Sequence, residues 1–282
     1  LQALIDLSSN KTGIFSVNDI VFQIGPRINA AGRIEHAKDA VNLLISKSKE
    51  EAANFSASVD DQNNQRKDFD LQITTEALAI IENSASNQAR KSTVLYKSDW
   101  HKGVIGIVAS RLTEKYYRPT VILTHTNGHI AGSARSVIGF DLYEALSECS
   151  DLLEQFGGHK YAAGLTMKEE NIPLFQEKFE NVVQRTIKPE MLQQEVSIDM
   201  EITLDQIDSK FYRLLKQFEP FGPQNEAPIF MSKGILVHGN AYIVGNNHLK
   251  MTIFQEGAPL YDCIGFGLAE HANYINSKKP FA

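Results

Sequence analysis

The sequence is poor in the residues and patterns that mark several large classes of protein. Its 282 residues include only two cysteines, Cys149 and Cys263, too few for a disulfide framework and too far apart for a metal-binding motif. We therefore expect a reducing compartment, the cytoplasm, with both thiols packed as small apolar side chains. No run of about 18 apolar residues and no basic-then-apolar leader occurs, so neither a membrane span nor a secretion signal is predicted.

Net positive charge is also missing. The chain carries 28 Lys and Arg against 34 Asp and Glu, a formal net charge of −6. This balance argues against binding nucleic acid through a broadly basic surface, so any phosphate site must be a local cluster of cations. A Gly-x-Ser-x-Gly elbow and a P-loop are absent. His125 and His129 flank a predicted turn, but no nearby carboxylate or cysteine completes a metal site with them.

The first third of the chain is predicted to be mainly helical. The length of the whole chain allows about two domains, and a first residue other than Met predicts that the chain is a piece of a longer protein. A short helix over residues 1–7, a polar link and a turn capped by Ser16 come first. After residue 36, helices over 37–45 and from Lys49 to about residue 85 follow from 3–4 spacing of apolar residues without Pro or Gly. We expect this long helix to connect two domains, with its polar segment 63–68 solvated or, alternatively, in contact at a domain junction.

From residue 92 the pattern changes to alternating strands and helices, which predicts a compact α/β domain. Asn127-Gly128 between two strands is a hairpin signal. Asn171 is expected to cap the last helix, Pro173 to stand in its first turn and Pro189 to end it. The predicted strands cover residues 93–96, 120–124, 130–137 and 164–167, and the predicted helices cover 104–117, 141–156 and 172–187.

Beyond residue 189 short strands predict a small antiparallel barrel. A helix is expected over residues 208–217, and a further strand is due after Ala282, so the barrel is expected to be incomplete. The predicted strands lie at residues 196–202, near 229, and at 234–237, 241–244, 249–254 and 261–266.

The segment Gly157-Gly158-His159 is a candidate anion-binding turn. Two adjacent glycines allow main-chain N–H groups to approach an anion, and His159 adds a side-chain donor. The alternative is that Gly157 only provides the left-handed cap of a helix ending at Phe156.

Other candidate ligands for an anion are spread along the chain. Arg27 and Arg33 lie in a segment rich in small residues, expected to be a loop, where a guanidinium can meet phosphate or simply be solvated. His101 stands where a strand passes into a helix, a usual place for a ligand-facing loop, or it packs internally. Ser133 and Arg135 share one face of a strand and together suit phosphate, unless that face is only exposed surface.

Five motifs in this order resemble the C-terminal part of the RecJ family of single-strand-specific DNA exonucleases, in the DHH phosphoesterase superfamily. They lie at residues 25–33, 100–112, 132–136, 157–164 and 218–225, and together the resemblance covers nearly the whole chain. It implies that residues 1–35 are the tail of the catalytic DHH domain and that 36–91 are connector helices. It further implies a DHHA1 domain over 92–189 and an OB-like domain over 190–282.

The resemblance also implies a function and a set of roles. The chain would be the substrate-binding portion of a 5′-to-3′ exonuclease, inactive alone, with manganese or magnesium bound by the DHH domain and no cofactor of its own. Arg27 or Arg33 would hold the 5′-phosphate of single-stranded DNA together with Ser133 and Arg135. The segment 157–159 would hold DNA beside the metals, and the OB-like domain would guide the strand, with Tyr242 and Phe254 as candidates for base stacking or for core packing. Single-strand-binding proteins and helicases are candidate partners.

Two other functions are compatible with the sequence. One is a DHH/DHHA1 phosphoesterase acting on short oligonucleotides or cyclic dinucleotides, although those small enzymes generally lack a barrel-like tail. The other is a non-catalytic module that binds DNA or partner proteins through the barrel and the long helix.

Overall fold

The computed structural model describes residues 1–7, 17–222 and 224–282. They divide into two compact units, residues 1–194 and residues 195–282. The predicted cap Ser16, most of the polar link before it, and Pro223 of the motif at 218–225 lie outside the described residues. Within the described ranges, no helix is both long enough and apolar enough to cross a membrane.

The chain begins with short helices. They are α1 (Gln2–Asp6), α2 (Val17–Asp19), a π-helical turn (Ile20–Ile24), α3 (Gly25–Ile34) and α4 (Lys38–Ile45). The prediction of a loop around Arg27 and Arg33 is wrong, because both residues lie in α3. Pro26 stands in the first turn of α3, where its missing N–H costs no helical hydrogen bond, and Ala30 and Ala31 favour the helix and are fully buried.

The predicted long helix is present as α5, Lys49–Glu82, and is followed by α6, Ala85–Ala89. Ser48 caps α5 by accepting a hydrogen bond from the Glu51 amide at 3.1 Å. The helix packs against α3 and α4 and, further along, against the helix over Ile105–Tyr116. The prediction of a solvated polar segment is therefore wrong for Asn63, which is buried, and for Arg66, which is half-buried. The other four residues of segment 63–68 are exposed, as predicted.

A five-stranded sheet forms the centre of the first unit. Its strands are β1 (Thr93–Tyr96), β2 (Thr120–Thr126), β3 (His129–Arg135), β4 (Gln155–His159) and β5 (Ala162–Met167), in the order β1-β2-β3-β5-β4. Only β1 and β2 are parallel, and α7 (Ile105–Tyr116) crosses between them. Asn127 and Gly128, with φ of 49° and 83°, make the predicted hairpin between β2 and β3.

Helices cover the two faces of this sheet differently. On one face, α8 (Leu142–Ser147) and α9 (Ile172–Thr186) enclose an apolar core that includes Leu123, Leu165 and Phe175. On the other face, α5 and α7 form a second core with Ile122 of β2. Because strand residues alternate between faces, the same strands serve both cores.

The helix predicted over residues 141–156 is wrong beyond Ser147. The chain leaves α8, makes a 3₁₀ turn at Ser150–Leu152 and enters β4, which pairs with β5 along the sheet edge. This pairing is with a later segment, so the local apolar spacing did not reveal it. Asn171 occupies the N-cap position of α9, as predicted, but its side chain makes no capping hydrogen bond. It donates instead to the Leu152 carbonyl at 2.9 Å and thereby ties this turn to the start of α9.

The second unit is built from short strands. They are β6 (Met200–Glu201), β7 (Phe230–Met231), β8 (Leu236–Val244), β9 (His248–Phe254) and β10 (Tyr261–Gly265), with helices α10 (Ser209–Lys216) and α11 (Ala272–Asn276). Strands β10-β9-β8 form an antiparallel sheet, and β6 pairs in parallel with β7. The alternation at 196–202 yields only the two residues of β6. The two strands predicted at 234–237 and 241–244 are one strand with an irregular register between His238 and Tyr242.

The fold class predicted from the sequence is confirmed. An α/β region follows a long helix and precedes a small antiparallel β region. The second unit has its own small core of Val237, Ala241, Leu249 and Ile275.

Candidate nucleic-acid interface

Ser133 and Arg135 lie side by side on β3, as the strand alternation predicts. Arg135 Nη1 donates to Ser133 Oγ at 3.2 Å and to the Ala134 carbonyl at 2.8 Å. Burial lowers the pKa of Arg135 below its ordinary value, and the nearby charge of Arg33 lowers it further. A methyl group on Gly106, in the first turn of α7, would come within 2.9 Å of Ser133 Oγ and 3.1 Å of Arg135 Nη2. The glycine therefore allows the start of α7 to lie directly against this pair.

Arg33, at the end of α3, reaches the same region through the motif that precedes α7. Its Nη1 donates to the Gly103 carbonyl at 3.2 Å. A Cβ atom on Gly103 would lie 2.0 Å from the Arg33 carbonyl oxygen, so the two backbones approach as closely as glycine permits. Three motifs spread over about 100 residues of chain thus converge at the N-terminal end of α7.

Two further arginines join this region, and sequence reasoning missed both. Asp70 is 4% exposed and binds Arg111 in a two-pronged ion pair, with Nε at 2.9 Å and Nη2 at 2.8 Å. Arg66 Nη1 lies 3.9 Å from the same carboxylate. Burial lowers the pKa of Arg66, and the charges of Arg111 and Arg33 lower it further, while Asp70 opposes the shift.

The four arginines 33, 66, 111 and 135 therefore form a local cationic cluster, which we call the arginine cluster. The Nε atom of Arg66 is buried and has no hydrogen-bond partner in the described part of the chain. A signal for Arg66 existed in the sequence, because it stands four residues before Asp70 and on the same helical stripe as Ile73. Recognising it required knowing that this stripe of α5 is buried.

His101 lies in the loop between β1 and α7. Its ring stacks on Phe69 of α5, with centroids 4.9 Å apart and planes at 20°. Its Nδ1 accepts from the Gly103 amide at 3.1 Å, which leaves the ring proton on Nε2 in the neutral form. Burial lowers the pKa of His101, so the neutral ring predominates at pH 7. His101 is thus a neutral hydrogen-bond donor close in sequence to the contact with Arg33.

Gly157, Gly158 and His159 do not form the predicted turn after a helix, because they belong to the edge strand β4. Gly158 has a φ of 153°, and a Cβ there would lie 2.3 Å from the Ala162 carbonyl oxygen, so the pairing of β4 with β5 requires this glycine. The actual turn is at Lys160 and Tyr161, between the two strands.

The register of the sheet connects Gly157 and His159 with the arginine cluster. Across the sheet, Ser133 of β3 is opposite Gly164 of β5, which is opposite Gly157 of β4. Two residues further along β3, Arg135 is opposite Ala162, which is opposite His159. These residues share the face of the sheet on which α7 lies. A Cβ on Gly157 would meet no atom within 4 Å, and one on Gly164 would meet only the Gly132 carbonyl at 3.9 Å. The sheet beside Ser133 is therefore a flat, exposed surface.

Arg27 lies outside the arginine cluster. Its Nε donates to Asp60 Oδ1 at 2.6 Å and its Nη1 donates to the Gln23 carbonyl at 2.6 Å, so it joins α3 to α5. In the second unit, Tyr242 is 53% exposed, whereas Phe254 is half-buried and contacts the edge of the His238 ring.

No group of three or more His, Cys, Asp or Glu side chains that could hold a metal ion occurs in residues 1–7, 17–222 and 224–282. His125 is opposite Ile130 rather than His129 in the hairpin. The donor set in the described part of the chain therefore does not fit a divalent metal.

Comparison with known proteins identifies the family. One family model, the DHHA1 domain, matches residues 90–185, and another, the RecJ OB domain, matches residues 198–282. The chain belongs to the RecJ family. The single-stranded-DNA-specific exonuclease RecJ of Bacillus subtilis is 36% identical over 273 residues, which are 96% of this chain and 34% of that protein. RecJ of Escherichia coli is 31% identical over 276 residues, 95% of this chain and 48% of that protein.

Solved structures agree with the RecJ family assignment. The structure of RecJ from Thermus thermophilus in complex with Mn²⁺ matches with a TM-score of 0.75 and 30% identity, over 88% of this chain and 37% of that one. The same protein has been solved in complex with Mg²⁺. The chain thus spans about a third to a half of the length of its RecJ relatives.

Proposed function

We propose that this chain is the substrate-binding portion of a RecJ-like exonuclease that degrades single-stranded DNA from its 5′ end. In this proposal Arg33, Ser133 and Arg135 hold the 5′-terminal phosphate. The observation that carries it is the convergence of Arg33 with the Ser133–Arg135 pair at the start of α7. The family membership and the names of the relatives support the substrate class.

The chemistry of the arginine cluster suits a terminal phosphate. Arg135 presents a planar fork of N–H donors, and Ser133 Oγ, which accepts from Arg135, keeps its own O–H for a phosphate oxygen. The N-terminal end of α7, where the helix dipole favours an anion, lies against the same pair at Gly106. Arg66 and Arg111 raise the local positive potential in a protein whose net charge is −6. Such a site positions the strand and compensates charge, but it supplies no nucleophile.

The remaining candidates have roles that follow from their positions. The flat surface of Gly157 and Gly164 continues the phosphate site across β5 and β4, and we propose that the first nucleotide lies over it, with His159 at the far side. His101 would donate from Nε2 to the substrate. In the second unit, the exposed ring of Tyr242 is proposed as a stacking surface for a base. Association with single-strand-binding proteins or helicases stays a prediction.

We propose that the divalent metals of the reaction are bound by the part of the DHH domain that lies outside this chain. RecJ of Thermus thermophilus has been solved in complex with Mn²⁺ and with Mg²⁺. Such ions would activate water for attack on a phosphodiester. Incubation of this chain with 5′-phosphorylated single-stranded DNA and Mn²⁺ is expected to release no nucleotide, and robust release would contradict the proposal.

Binding to two matched DNA strands tests the phosphate site directly. Arg135→Ala is expected to weaken binding of a 5′-phosphorylated strand by about tenfold, as one charge-assisted contact is lost, with little effect on a 5′-hydroxyl strand. The measurement is fluorescence anisotropy at fixed salt, because phosphate contacts depend strongly on salt. Arg185→Ala is the matched control, since Arg185 is an exposed arginine of α9 that pairs with Glu148. Equal losses on the two strands would contradict the assignment of Arg135.

A further inference from the structure

The short segment from Trp100 to Gly103 links the connector helix α5 to the proposed phosphate site. It carries His101, and its Gly103 carbonyl accepts the hydrogen bond from Arg33. Any shift of this segment therefore displaces an atom that orients Arg33.

Glu76 of α5 is the main polar anchor of this segment. Trp100 is 3% exposed, and its indole Nε1–H donates to Glu76 Oε2 at 2.8 Å. Lys97 Nζ donates to the same oxygen at 2.8 Å. A buried indole N–H left without an acceptor is costly, so the position of Trp100 depends on this carboxylate.

Other contacts make the segment a defined unit. Thr124 of β2 donates to the Trp100 carbonyl at 2.6 Å, and the ring of His101 stacks on Phe69 of α5. The segment is thus fixed to β2 on one side and to α5 on the other. The Glu76 carboxylate also accepts a hydrogen bond from the side chain of Gln72 at 3.0 Å. Hydrogen bonds from Lys97, Trp100 and Gln72 lower the pKa of Glu76 to about 2, so it is charged at neutral pH.

We propose that Glu76 is a positioning residue for phosphate binding, which acts through Trp100 and the Gly103 carbonyl on Arg33. The inference rests on the proposed function, since it assigns to that site a residue that never contacts the substrate. It adds an element of the site that the motifs do not contain, because Glu76 lies in the connector helix.

The test compares three variants of the chain by their affinity for 5′-phosphorylated and 5′-hydroxyl single strands. Glu76→Ala is expected to lower the ratio of the two affinities by about tenfold, since it removes the only side chain shown to accept from the Trp100 indole among the described residues. Glu76→Gln keeps an oxygen for the indole and is expected to retain most of the ratio. Glu82→Ala is the matched control, because Glu82 also pairs α5 with a lysine, Lys115 at 3.1 Å, away from the segment.

A spectroscopic readout separates positioning from general stability. The chain has one tryptophan, so its indole N–H gives a single resonance that reports the Glu76 contact. Addition of inorganic phosphate is expected to shift this resonance in the parent chain and in Glu82→Ala, but not in Arg33→Ala or Glu76→Ala.

The outcomes distinguish the inference from the proposed function. If Glu76→Ala lowers the melting temperature but leaves the affinity ratio unchanged, the inference is wrong. A Gln variant as impaired as the Ala variant would also contradict the route through Trp100. If Arg135→Ala leaves the ratio unchanged, the phosphate site itself fails, whatever Glu76 does.

Discussion

The two faces of the five-stranded sheet use alternate residues of the same strands for different purposes. On the face toward α8 and α9, the residues of β3 and β5 are apolar and buried, as with Ala134 and Leu165. On the face toward α7, the same strands carry Ser133, Arg135 and Gly164. The face toward α8 and α9, which we call the covered face, provides stability. The part of the other face that is formed by β3 and β5, which we call the open face, provides a polar surface held rigidly by that stability.

This contrast shows how a polar site is positioned. Ser133 and Arg135 are half-buried, and their backbone is fixed by hydrogen bonds to β2 on one side and β5 on the other. The positions of the side chains on the open face are therefore fixed by the packing of the covered face. Substitutions on the two faces should consequently separate stability from binding.

The largest expected effect lies on the covered face. Phe175 is fully buried and its ring stacks on Phe179 at 5.6 Å. Phe175→Ala should reduce the free energy of unfolding by about 3–5 kcal/mol. Denaturant unfolding measures this loss, and below the transition the ratio of affinities for phosphorylated and hydroxyl strands should match that of the parent. A changed ratio would break the proposed separation of the two faces.

The adjacent glycines of β4 provide a sharper comparison. Gly158→Ala places a methyl group 2.3 Å from the Ala162 carbonyl oxygen and should cost about 1–3 kcal/mol of stability. Gly157→Ala adds its methyl group to open space, so unfolding should change by less than about 1 kcal/mol, while binding of the phosphorylated strand weakens. If Gly157→Ala binds as the parent does, the proposed nucleotide surface over Gly157 and Gly164 is wrong.

Two arginines of α3 permit a similar separation. Arg33→Ala should lower the affinity for the phosphorylated strand by about tenfold with little change in stability. Arg27→Ala removes the contacts to Asp60 and the Gln23 carbonyl, so it should reduce the melting temperature without changing the affinity ratio. The reverse pattern would place the phosphate at Arg27 instead.

The smallest expected effect concerns pH. Since the pKa of Glu76 falls from 4.5 to about 2 on folding, its charge stabilises the fold above about pH 4.5, and this contribution is lost as the pH falls toward 2. The difference in unfolding free energy between the parent and Glu76→Gln should therefore shrink steadily between about pH 5 and pH 2. A difference that stays constant over this range would contradict the charge of Glu76 as its origin.

Local chemistry explains which features the sequence could predict. Asn127 and Gly128 accept positive φ angles with little strain, so the hairpin could be identified from two residues. The pairing of Ser133 with Arg135 follows from the period of a strand, and the extent of α5 follows from 3–4 spacing without Pro or Gly. Each of these depends on neighbours in the sequence.

The features that were missed depend on distant partners. Strand β4 exists because it pairs with β5, whereas the residues before Gly157 have the apolar spacing of a helix. Arg66 and Arg111 join the arginine cluster only because α5 and α7 pack together around Asp70. The choice between Arg27 and Arg33 likewise required knowing that the segment is a helix, which directs the two side chains to different partners.

The length of α5 between Arg66 and Glu76 has a consequence for how this family can vary. Arg66 belongs to the arginine cluster, while Phe69, Asp70 and Glu76 contact His101, Arg111 and Trp100, all from one side of a single helix. One inserted residue would turn everything beyond it by about 100°, and seven would restore the direction but displace it by about 10 Å. The spacing of residues 66–76 is therefore fixed by their contacts, so insertions and deletions in α5 are tolerable only outside this interval.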